Sequence, residues 1–166
     1  MRLYIVRHGI AIDPTDPKSP ADPKRALTSE GVKKTGQAMR GLRALGVEPE
    51  AMLTSPYVRA VQTAELAAEA LGFAADKIKR TDALLPGTPP ADLFRELAKL
   101  RADSVMCFGH APHLDLAIAH GLGLRSPITE LKKAGAACLE LETLSPARGT
   151  LVWVFTSRAL RLMGEA

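Results

Sequence analysis

Aromatic residues and cysteines are scarce in this chain, and it has no long hydrophobic run. The aromatic side chains are four phenylalanines, two tyrosines and one tryptophan, too few to form a stacking surface for single-stranded nucleic acid. The two cysteines, Cys107 and Cys138, lie in apolar stretches and cannot form a disulfide framework, which favours a reducing compartment. No window approaches the roughly 18 apolar residues of a membrane-spanning helix. We therefore expect a soluble cytoplasmic protein without nucleic-acid or membrane partners.

The excess of positive charge is small. Lysine and arginine outnumber aspartate and glutamate by 22 to 18, a formal net charge of +4, and the basic residues are scattered along the chain. Such a charge favours anionic partners only weakly. The 166 residues, 46% of them hydrophobic, are enough for one domain with a substantial core and few for two. We expect a single domain over residues 1–166.

Strand-like and helix-like segments alternate along the chain. Four prolines between residues 11 and 26 exclude a regular element there and predict a long loop. Apolar, β-branched runs predict strands, and apolar stripes at helical spacing predict helices. The predicted strands are 3–6, 51–54, 78–84, 104–108, 136–141 and 150–155, and the predicted helices are 28–46, 55–72, 93–100 and 113–120. This order predicts a three-layer α/β/α sandwich around a largely parallel sheet.

Basic side chains follow the ends of two predicted strands. Arg7 and His8 come directly after the strand at 3–6, and His110 follows the strand at 104–108. Because ligands bind outside the carboxyl ends of the strands in such sheets, we expect the two histidines to meet in one crevice. An imidazole can attack phosphorus through one nitrogen only if the other is held by an acceptor, and the carbonyl of Gly9 could serve.

Two further arginines fall near the same crevice. Arg59 lies in the first turn of the helix predicted to begin at Ser55-Pro56, where free amides favour an anion. Arg25 ends the proline-rich loop and can reach the mouth of the crevice. Together with the basic residues at the strand ends, these arginines predict a site for a phosphoryl group. Taken singly, Arg7 also fits an ion pair at a strand end and Arg59 a solvated helix face. His113 and His120 are better explained as structural histidines.

Four segments resemble successive motifs of the histidine phosphatase superfamily, which includes the phosphoglycerate mutases. They are YIVRHG at 4–9, LTSEGVKKTGQA at 27–38, SPYVRAVQTAE at 55–65 and FGHAPHL at 108–114. The shortness of the chain and the segments 131–141 and 151–160 are similar to the SixA-type phosphohistidine phosphatases of this superfamily. The resemblance implies a phosphoglycerate mutase-like fold and covers nearly the whole chain.

The resemblance also implies roles for individual residues. His8 would be the nucleophile, while Arg7, Arg59 and a protonated His110 would complete the phosphate pocket, with Arg25 as a further phosphate ligand. The implied reaction removes the phosphoryl group from phosphohistidine on a phosphocarrier or phosphorelay protein in signal transduction. It would proceed through phospho-His8 and release inorganic phosphate. No metal and no cofactor are implied.

The chain departs from the family pattern in two places. Many members have an acidic residue after the third strand that protonates an alkoxide leaving group, but Leu85 and Pro86 stand in that region here. Asp82 and Asp92 flank the region without matching the motif. The second departure is Ala111, where relatives often have asparagine. A missing acid favours phosphohistidine as substrate, because transfer between two imidazoles is close to thermoneutral.

Three other functions remain open on the sequence. A phosphomonoesterase or mutase of the same superfamily would act on small molecules. A metal-dependent hydrolase would use His110, His113, Asp115 and His8 as ligands, although Pro112 between the two histidines argues against it. A non-catalytic phosphate-binding module would need the arginines but not His8.

Overall fold

The structure is a computed structural model that describes residues 1–165. Within these residues, the strands are β1 (Arg2–Arg7), β2 (Ala51–Thr54), β3 (Lys79–Arg80), β4 (Ser104–Gly109), β5 (Ala136–Leu144) and β6 (Ala147–Phe155). The α-helices are α1 (Ser29–Ala44), α2 (Val58–Leu71), α3 (Pro90–Leu97), α4 (His113–Gly121) and α5 (Ser157–Glu165). Short 3-10 helices occur at Asp22–Lys24, Ala75–Lys77 and Asp82–Leu84.

The strands form one sheet in the order β3-β2-β4-β1-β5-β6. Strand β4 pairs in parallel with β1 and with β2, and β2 pairs in parallel with β3. Strand β5 is antiparallel to both β1 and β6, so β5 alone runs against the other five strands. The prediction of a largely parallel sheet is confirmed.

The helices cover both faces of the sheet. Along β1, Leu3 and Ile5 point into the core that α3 and α4 close, while Tyr4 and Val6 point into the core closed by α1, α2 and α5. This alternation follows from the two-residue period of a strand. All four side chains are at most 5% exposed, and burial on both faces explains why β1 reads as a continuous apolar run. The three-layer α/β/α prediction is confirmed.

Two predicted elements are placed wrongly by the sequence. The strand predicted at 78–84 consists of the two-residue β3 followed by the 3-10 helix Asp82–Leu84. The Thr81 hydroxyl accepts a hydrogen bond from the amide of Ala83 at 3.2 Å, and this cap begins a turn whose buried side chains resembled a strand. The second helix begins at Val58 rather than at Ser55-Pro56. Ser55 remains beside β4, because its amide donates to the carbonyl of Phe108 at 2.9 Å.

The carboxyl-terminal part of the chain contains more structure than the sequence predicts. Strand β5 extends three residues beyond the predicted end, and β6 begins three residues earlier than predicted. Helix α5 is not among the predicted elements, although Leu160 and Met163, which both pack against the core, stand at helical spacing and were an available signal. It packs against α1, where Gly41 and Gly164 allow a close approach. Within residues 1–165, no helix combines the length and apolar character needed to cross a membrane.

Candidate active site

The neighbouring strands β1 and β4 bring His8 and His110 together. Their register pairs Arg7 with Gly109, so each histidine is the next residue beyond a paired position. The amide of His8 donates to the carbonyl of Gly109 at 3.0 Å. The two ring centroids lie 5.2 Å apart, and the residues are 7% and 3% exposed. The predicted meeting of the two histidines at the carboxyl ends of the strands is confirmed.

Two hydrogen bonds define the tautomer of His8. Its Nδ1 lies 2.7 Å from the carbonyl oxygen of Gly9, and its Nε2 lies 3.3 Å from Nε of Arg59. A carbonyl only accepts hydrogen bonds and a guanidinium only donates them. Nδ1 therefore carries the proton, and Nε2 presents its lone pair to the crevice. The Gly9 carbonyl is the acceptor that the sequence suggested.

The turn at Gly9 is held by residues from two helices. The amide of Gly9 donates to Oγ1 of Thr63 at 3.1 Å, and this hydroxyl donates to the carbonyl of Arg59 at 2.7 Å. A Cβ atom at Gly9 would lie 2.1 Å from Oγ1 of Thr35 on α1, which leaves room for glycine alone. One hydroxyl on α2 thus links the turn that orients His8 to the backbone of Arg59.

Arg59 is the second residue of α2 and is 4% exposed. Its Nη1 donates to the carbonyl of Asp22 at 2.8 Å, and its Nη2 lies 3.3 Å from the Asp22 carboxylate. Its guanidinium carbon also lies 5.1 Å from the centre of the Tyr57 ring. These contacts and the bond to His8 fix the guanidinium beside Nε2 of His8, and the binding of a phosphoryl group by Arg59 stays a prediction.

Arg25 is connected to this centre through Asp22. Its Nε and Nη2 donate to Oδ1 of Asp22 at 2.8 and 2.6 Å, and its Nη1 donates to the carbonyl of Ile12 at 2.6 Å. Asp22 therefore bridges Arg25 and Arg59. Sequence reasoning missed Asp22, although its position three residues before Arg25 was an available signal. Direct contact between Arg25 and a phosphoryl group stays a prediction.

Arg7 directly precedes His8 at the end of β1 and is half-buried. Its Nη1 donates to the carbonyl of Leu131 at 2.7 Å, while its buried Nε has no hydrogen-bond partner within residues 1–165. The amide of Leu131 donates in turn to Oδ1 of Asp115 at 2.9 Å. Arg7 is one of the charges that lower the pKa of His8.

Both site histidines are neutral at neutral pH. Burial lowers the pKa of His8 to about 4, and the charges of Arg59, Arg7 and Lys133 act in the same direction. Burial, with neighbouring His8, lowers the pKa of His110 to about 3. His110 is therefore unprotonated in the free pocket, because a buried imidazole beside cations binds a proton poorly, and the expectation of a protonated His110 beside a phosphoryl group stays a prediction. An anionic phosphoryl group would shift that balance toward the proton.

His110 is also held by the segment before α2. Its Nε2 lies 2.8 Å from Oγ of Ser55, and the Tyr57 ring packs edge-on against it at 5.1 Å between centroids. Its buried Nδ1 has no partner within residues 1–165. Such a buried polar atom is uncommon unless a ligand completes it. Ser55 is a second residue that sequence reasoning assigned elsewhere, as a helix cap.

The other titratable candidates lie in structural contacts. Nε2 of His113 lies 3.2 Å from the Thr88 hydroxyl, and His120 packs edge-on against Phe94 at 4.6 Å. Asp115 accepts hydrogen bonds from the Thr129 hydroxyl and the Leu131 amide through Oδ1. No group of three or more histidine, cysteine or acidic side chains is arranged to hold a metal ion in residues 1–165. These contacts favour the structural interpretation of His113 and His120.

Asp82 and Asp92, the two flanking carboxylates, line a separate surface cavity of about 360 Å³. Asp92 forms an ion pair with Arg95, and Asp82 lies exposed at the start of its 3-10 helix. Leu85 and Pro86 follow that helix. Neither aspartate makes a hydrogen bond or ion pair with His8 or His110.

Comparisons with known proteins agree with this geometry. Residues 3–84 match the model of the histidine phosphatase superfamily (branch 1). An uncharacterized protein of Picosynechococcus sp. (strain ATCC 27264 / PCC 7002 / PR-6) is 46% identical over 70 residues, which are 42% of this chain. The match spans 41% of the length of that curated relative.

Solved structures extend the likeness over almost the whole chain. The protein histidine phosphatase SixA, in a structure complexed with tungstate, is 25% identical, with a TM-score of 0.85 over 96% of this chain and 99% of that one. The mycobacterial glucosyl-3-phosphoglycerate phosphatase, at 16% identity and a TM-score of 0.69 over 91% of this chain and 96% of that one, shares the fold alone. The chain therefore belongs to the histidine phosphatase superfamily, branch 1, and has the architecture of its SixA-type members.

Proposed function

We propose that this protein is a phosphatase that removes the phosphoryl group from phosphohistidine on a partner protein, through a phospho-His8 intermediate. One observation carries the proposal. The Nε2 lone pair of His8 is fixed toward a crevice beside Arg59, while Nδ1 is bound to the carbonyl of Gly9. The likeness to the protein histidine phosphatase SixA over 96% of this chain supports the substrate class.

In the first step, Nε2 of His8 attacks the phosphorus atom in line with the bond to the substrate nitrogen. A new N–P bond forms as the substrate N–P bond breaks, and the electron pair of the broken bond leaves with the substrate imidazole. The transition state is loose, with charge on three equatorial oxygens, so positioning and nearby positive charge supply most of the catalysis. Arg59 and Arg7 provide that charge, and Arg59 exchanges its bond to Nε2 for bonds to the phosphoryl oxygens.

His110 provides a further donor to the phosphoryl group. Its Nδ1 is buried and lacks a protein partner within residues 1–165, while its Nε2 contacts Ser55. A phosphoryl oxygen would accept a hydrogen bond from Nδ1–H and, being anionic, would favour a proton on both nitrogens. Arg25 would act through Asp22, by releasing Arg59 from the carboxylate as the phosphoryl group enters.

In the second step, water attacks the phosphorus atom of phospho-His8. A P–O bond forms, the N–P bond breaks with its electron pair returning to Nε2, and the proton of the attacking water passes to the phosphate product. His8 returns to the neutral tautomer that its two hydrogen bonds define. The low pKa of His8, about 4, keeps Nε2 free of a proton for the next turnover.

The surroundings of His8 favour a leaving group that needs no acid from the enzyme. Leu85 and Pro86 occupy the region after β3, and Asp22 is an ionised carboxylate whose pKa is lowered through contacts with Arg25 and Arg59, although its partial burial opposes this shift. A phosphorylated imidazole takes its proton at its other ring nitrogen from solvent, whereas an alkoxide needs a proton delivered to oxygen. Delivery of this proton by an enzyme side chain raises the reaction rate about 100-fold or more.

The two buried cysteines support our proposal of a cytoplasmic location.

A comparison of leaving groups tests the proposal. The protein is incubated with a panel of phosphohistidine-bearing phosphocarrier and phosphorelay domains, with aryl phosphates of graded leaving-group pKa, and with sugar phosphates and phosphoglycerate. We expect the highest kcat/KM on a phosphohistidine protein, measurable turnover of p-nitrophenyl phosphate with rates that fall as leaving-group pKa rises, and little turnover of alkyl phosphates. Faster turnover of a sugar phosphate than of the aryl ester would contradict the proposal and favour a small-molecule phosphatase.

A further inference from the structure

A basic cavity adjoins the active site on the side of Arg7. It has a volume of about 440 Å³. Its walls are the end of β1 with the loop that follows it, helix α1, the segment that precedes β5, and helix α5. Its charged lining consists of five cations and one carboxylate: Arg7, Lys34, Lys132, Lys133, Arg161 and Glu130. Arg7, which directly precedes His8, lines this cavity, so the cavity adjoins the candidate active site.

Part of this charge is not neutralised by the protein. Lys34 pairs with Glu30, and Lys132 pairs with Glu130. Within residues 1–165, no carboxylate lies within ion-pair distance of Lys133 or Arg161. Lys133 also lies close enough to His8 to lower its pKa. A net positive charge therefore extends from the catalytic histidine to α5.

Several residues that line the cavity have buried polar atoms without a hydrogen-bond partner. Five buried side-chain nitrogen or oxygen atoms have no hydrogen-bond partner within residues 1–165, and three of them belong to residues that line this cavity. They are Nε of Arg7, Nε of Arg161 and Oγ1 of Thr35. Buried polar groups in folded proteins nearly always have a partner, so the guanidinium groups of Arg7 and Arg161 retain unused hydrogen-bonding capacity beside the cavity.

We propose that this cavity binds acidic side chains that flank the phosphohistidine on the partner protein. This inference rests on the proposed function and specifies how the partner is recognised. Carboxylates match the charge of Lys133 and Arg161, and a guanidinium binds a carboxylate in a forked geometry. Because the cavity meets the phosphate pocket at Arg7, a phosphohistidine in the pocket would place its neighbouring residues over the cavity. The preferred partner thus carries glutamate or aspartate beside its phosphohistidine.

The test compares two substrates and matched pairs of variants. Arg161→Gln removes a charge from the cavity, and Arg158→Gln removes one from an exposed position on the same helix. Lys132→Glu reverses an exposed charge at the cavity, and Lys99→Glu reverses an exposed lysine that, like Lys132, pairs with a neighbouring glutamate elsewhere. The probes are a phosphohistidine carrier domain with acidic residues beside its phosphohistidine, and p-nitrophenyl phosphate, which has no carboxylate.

We expect Arg161→Gln and Lys132→Glu to lower kcat/KM on the carrier domain about 10-fold at low ionic strength, because charges at the edge of an interface set the rate of association. The loss should shrink at high salt, where charges are screened. Turnover of p-nitrophenyl phosphate should stay within about two-fold of wild type, and the two control variants should behave as wild type on both substrates. Replacing the acidic residues of the carrier by their amides should abolish the difference between wild type and Arg161→Gln.

Other outcomes separate the two proposals. If the wild type dephosphorylates the carrier and Arg161→Gln and Lys132→Glu do so equally well, the proposed cavity ligand is wrong while the proposed function stands. Equal losses on both substrates would likewise overturn the cavity proposal, because they indicate damage to the catalytic centre. If the wild type turns over p-nitrophenyl phosphate but no phosphohistidine protein, the proposed function fails and the cavity proposal fails with it. Should Arg161→Gln not fold, as judged by its thermal unfolding, Lys132→Glu decides alone.

Discussion

At the scale of single residues, the reactivity of His8 depends on which of its nitrogens holds the proton. The Gly9 carbonyl takes the Nδ1 proton at 2.7 Å, and the Arg59 guanidinium points Nε–H at Nε2 from 3.3 Å. In the proposed mechanism, the longer of these two bonds breaks when phosphorus approaches Nε2. The same guanidinium would then face the phosphoryl oxygens, so we propose that Arg59 both selects the tautomer of His8 and neutralises charge in the transition state.

Arg59→Ala tests this double role. We expect kcat/KM on a phosphohistidine protein to fall about 100-fold or more, because the variant loses a donor whose bonds strengthen in the transition state. Arg59→Lys keeps the charge without the fork and should lose about 10-fold. Arg40→Ala, at an exposed position on α1, is the matched control and should leave the steady-state kinetics unchanged. An Arg59→Ala enzyme with near-normal kcat/KM would contradict the role.

The sequence predicts the basic residues of this site that follow strand ends, because ligands of such sheets bind outside the carboxyl ends of the strands. It does not predict Asp22, Ser55 and Thr63 in their actual roles. The contact of Ser55 with His110 spans 55 positions and that of Asp22 with Arg59 spans 37, so both depend on how loops pack. Arg25 illustrates the same limit, since the loop that carries it orients its guanidinium to Asp22 and Ile12 rather than to His8.

At the scale of elements, close packing between helices depends on glycine at defined positions. A Cβ atom at Gly41 of α1 would lie 1.9 Å from the carbonyl oxygen of Leu160 in α5. At Gly36, on the same helix, the nearest atom would be 4.0 Å away, at the end of the Arg40 side chain. Alanine improves helix propensity equally at both positions, so the two substitutions differ only in packing.

We expect Gly41→Ala to lower the free energy of unfolding by about 2 kcal/mol or more, because α5 must move off α1. Gly36→Ala should be neutral or should raise it by up to about 1 kcal/mol. Urea unfolding followed by circular dichroism measures both. Similar effects of the two substitutions would show that the contact between α1 and α5 is not close in solution.

The elements that the sequence locates correctly are those with continuous burial. Strands β1, β2 and β4 lie at the centre of the sheet and are apolar along their length. The clearest error falls where buried side chains belong to a turn, as at Ala83 and Leu84. In this turn the tertiary contacts decide the backbone conformation, and the local pattern of apolar residues carries little information about them.

At the scale of the whole molecule, the buried histidines make stability depend on pH. Burial lowers the pKa of His8 to about 4 and that of His110 to about 3, below the ordinary value of 6.5. Between those values the unfolded chain binds more protons than the folded chain, so stability rises with pH in that range. The contribution of these histidines is complete above pH 6.5 and is lost as the pH falls toward 4.

We expect the free energy of unfolding to decrease by about 2 kcal/mol for each of these two histidines between pH 7 and pH 5. Urea unfolding of the wild type and of His110→Gln at both pH values measures the effect. The variant lacks one of the titrating groups, so its loss over this range should be about 2 kcal/mol smaller. Equal losses in the two proteins would mean that His110 is not buried in its neutral form.

The most direct test of the central claim is to trap the phosphoryl group on the enzyme. The protein is mixed with a phosphohistidine carrier domain labelled in its phosphoryl group, quenched in alkali within the first turnover, and digested for mass spectrometry. We expect an acid-labile, alkali-stable label on His8, at a level that reaches a steady state and decays as inorganic phosphate appears. His8→Ala should fold, carry no label and release no phosphate. A label on His110 or on another residue, or phosphate release by His8→Ala at the wild-type rate, would contradict the central claim.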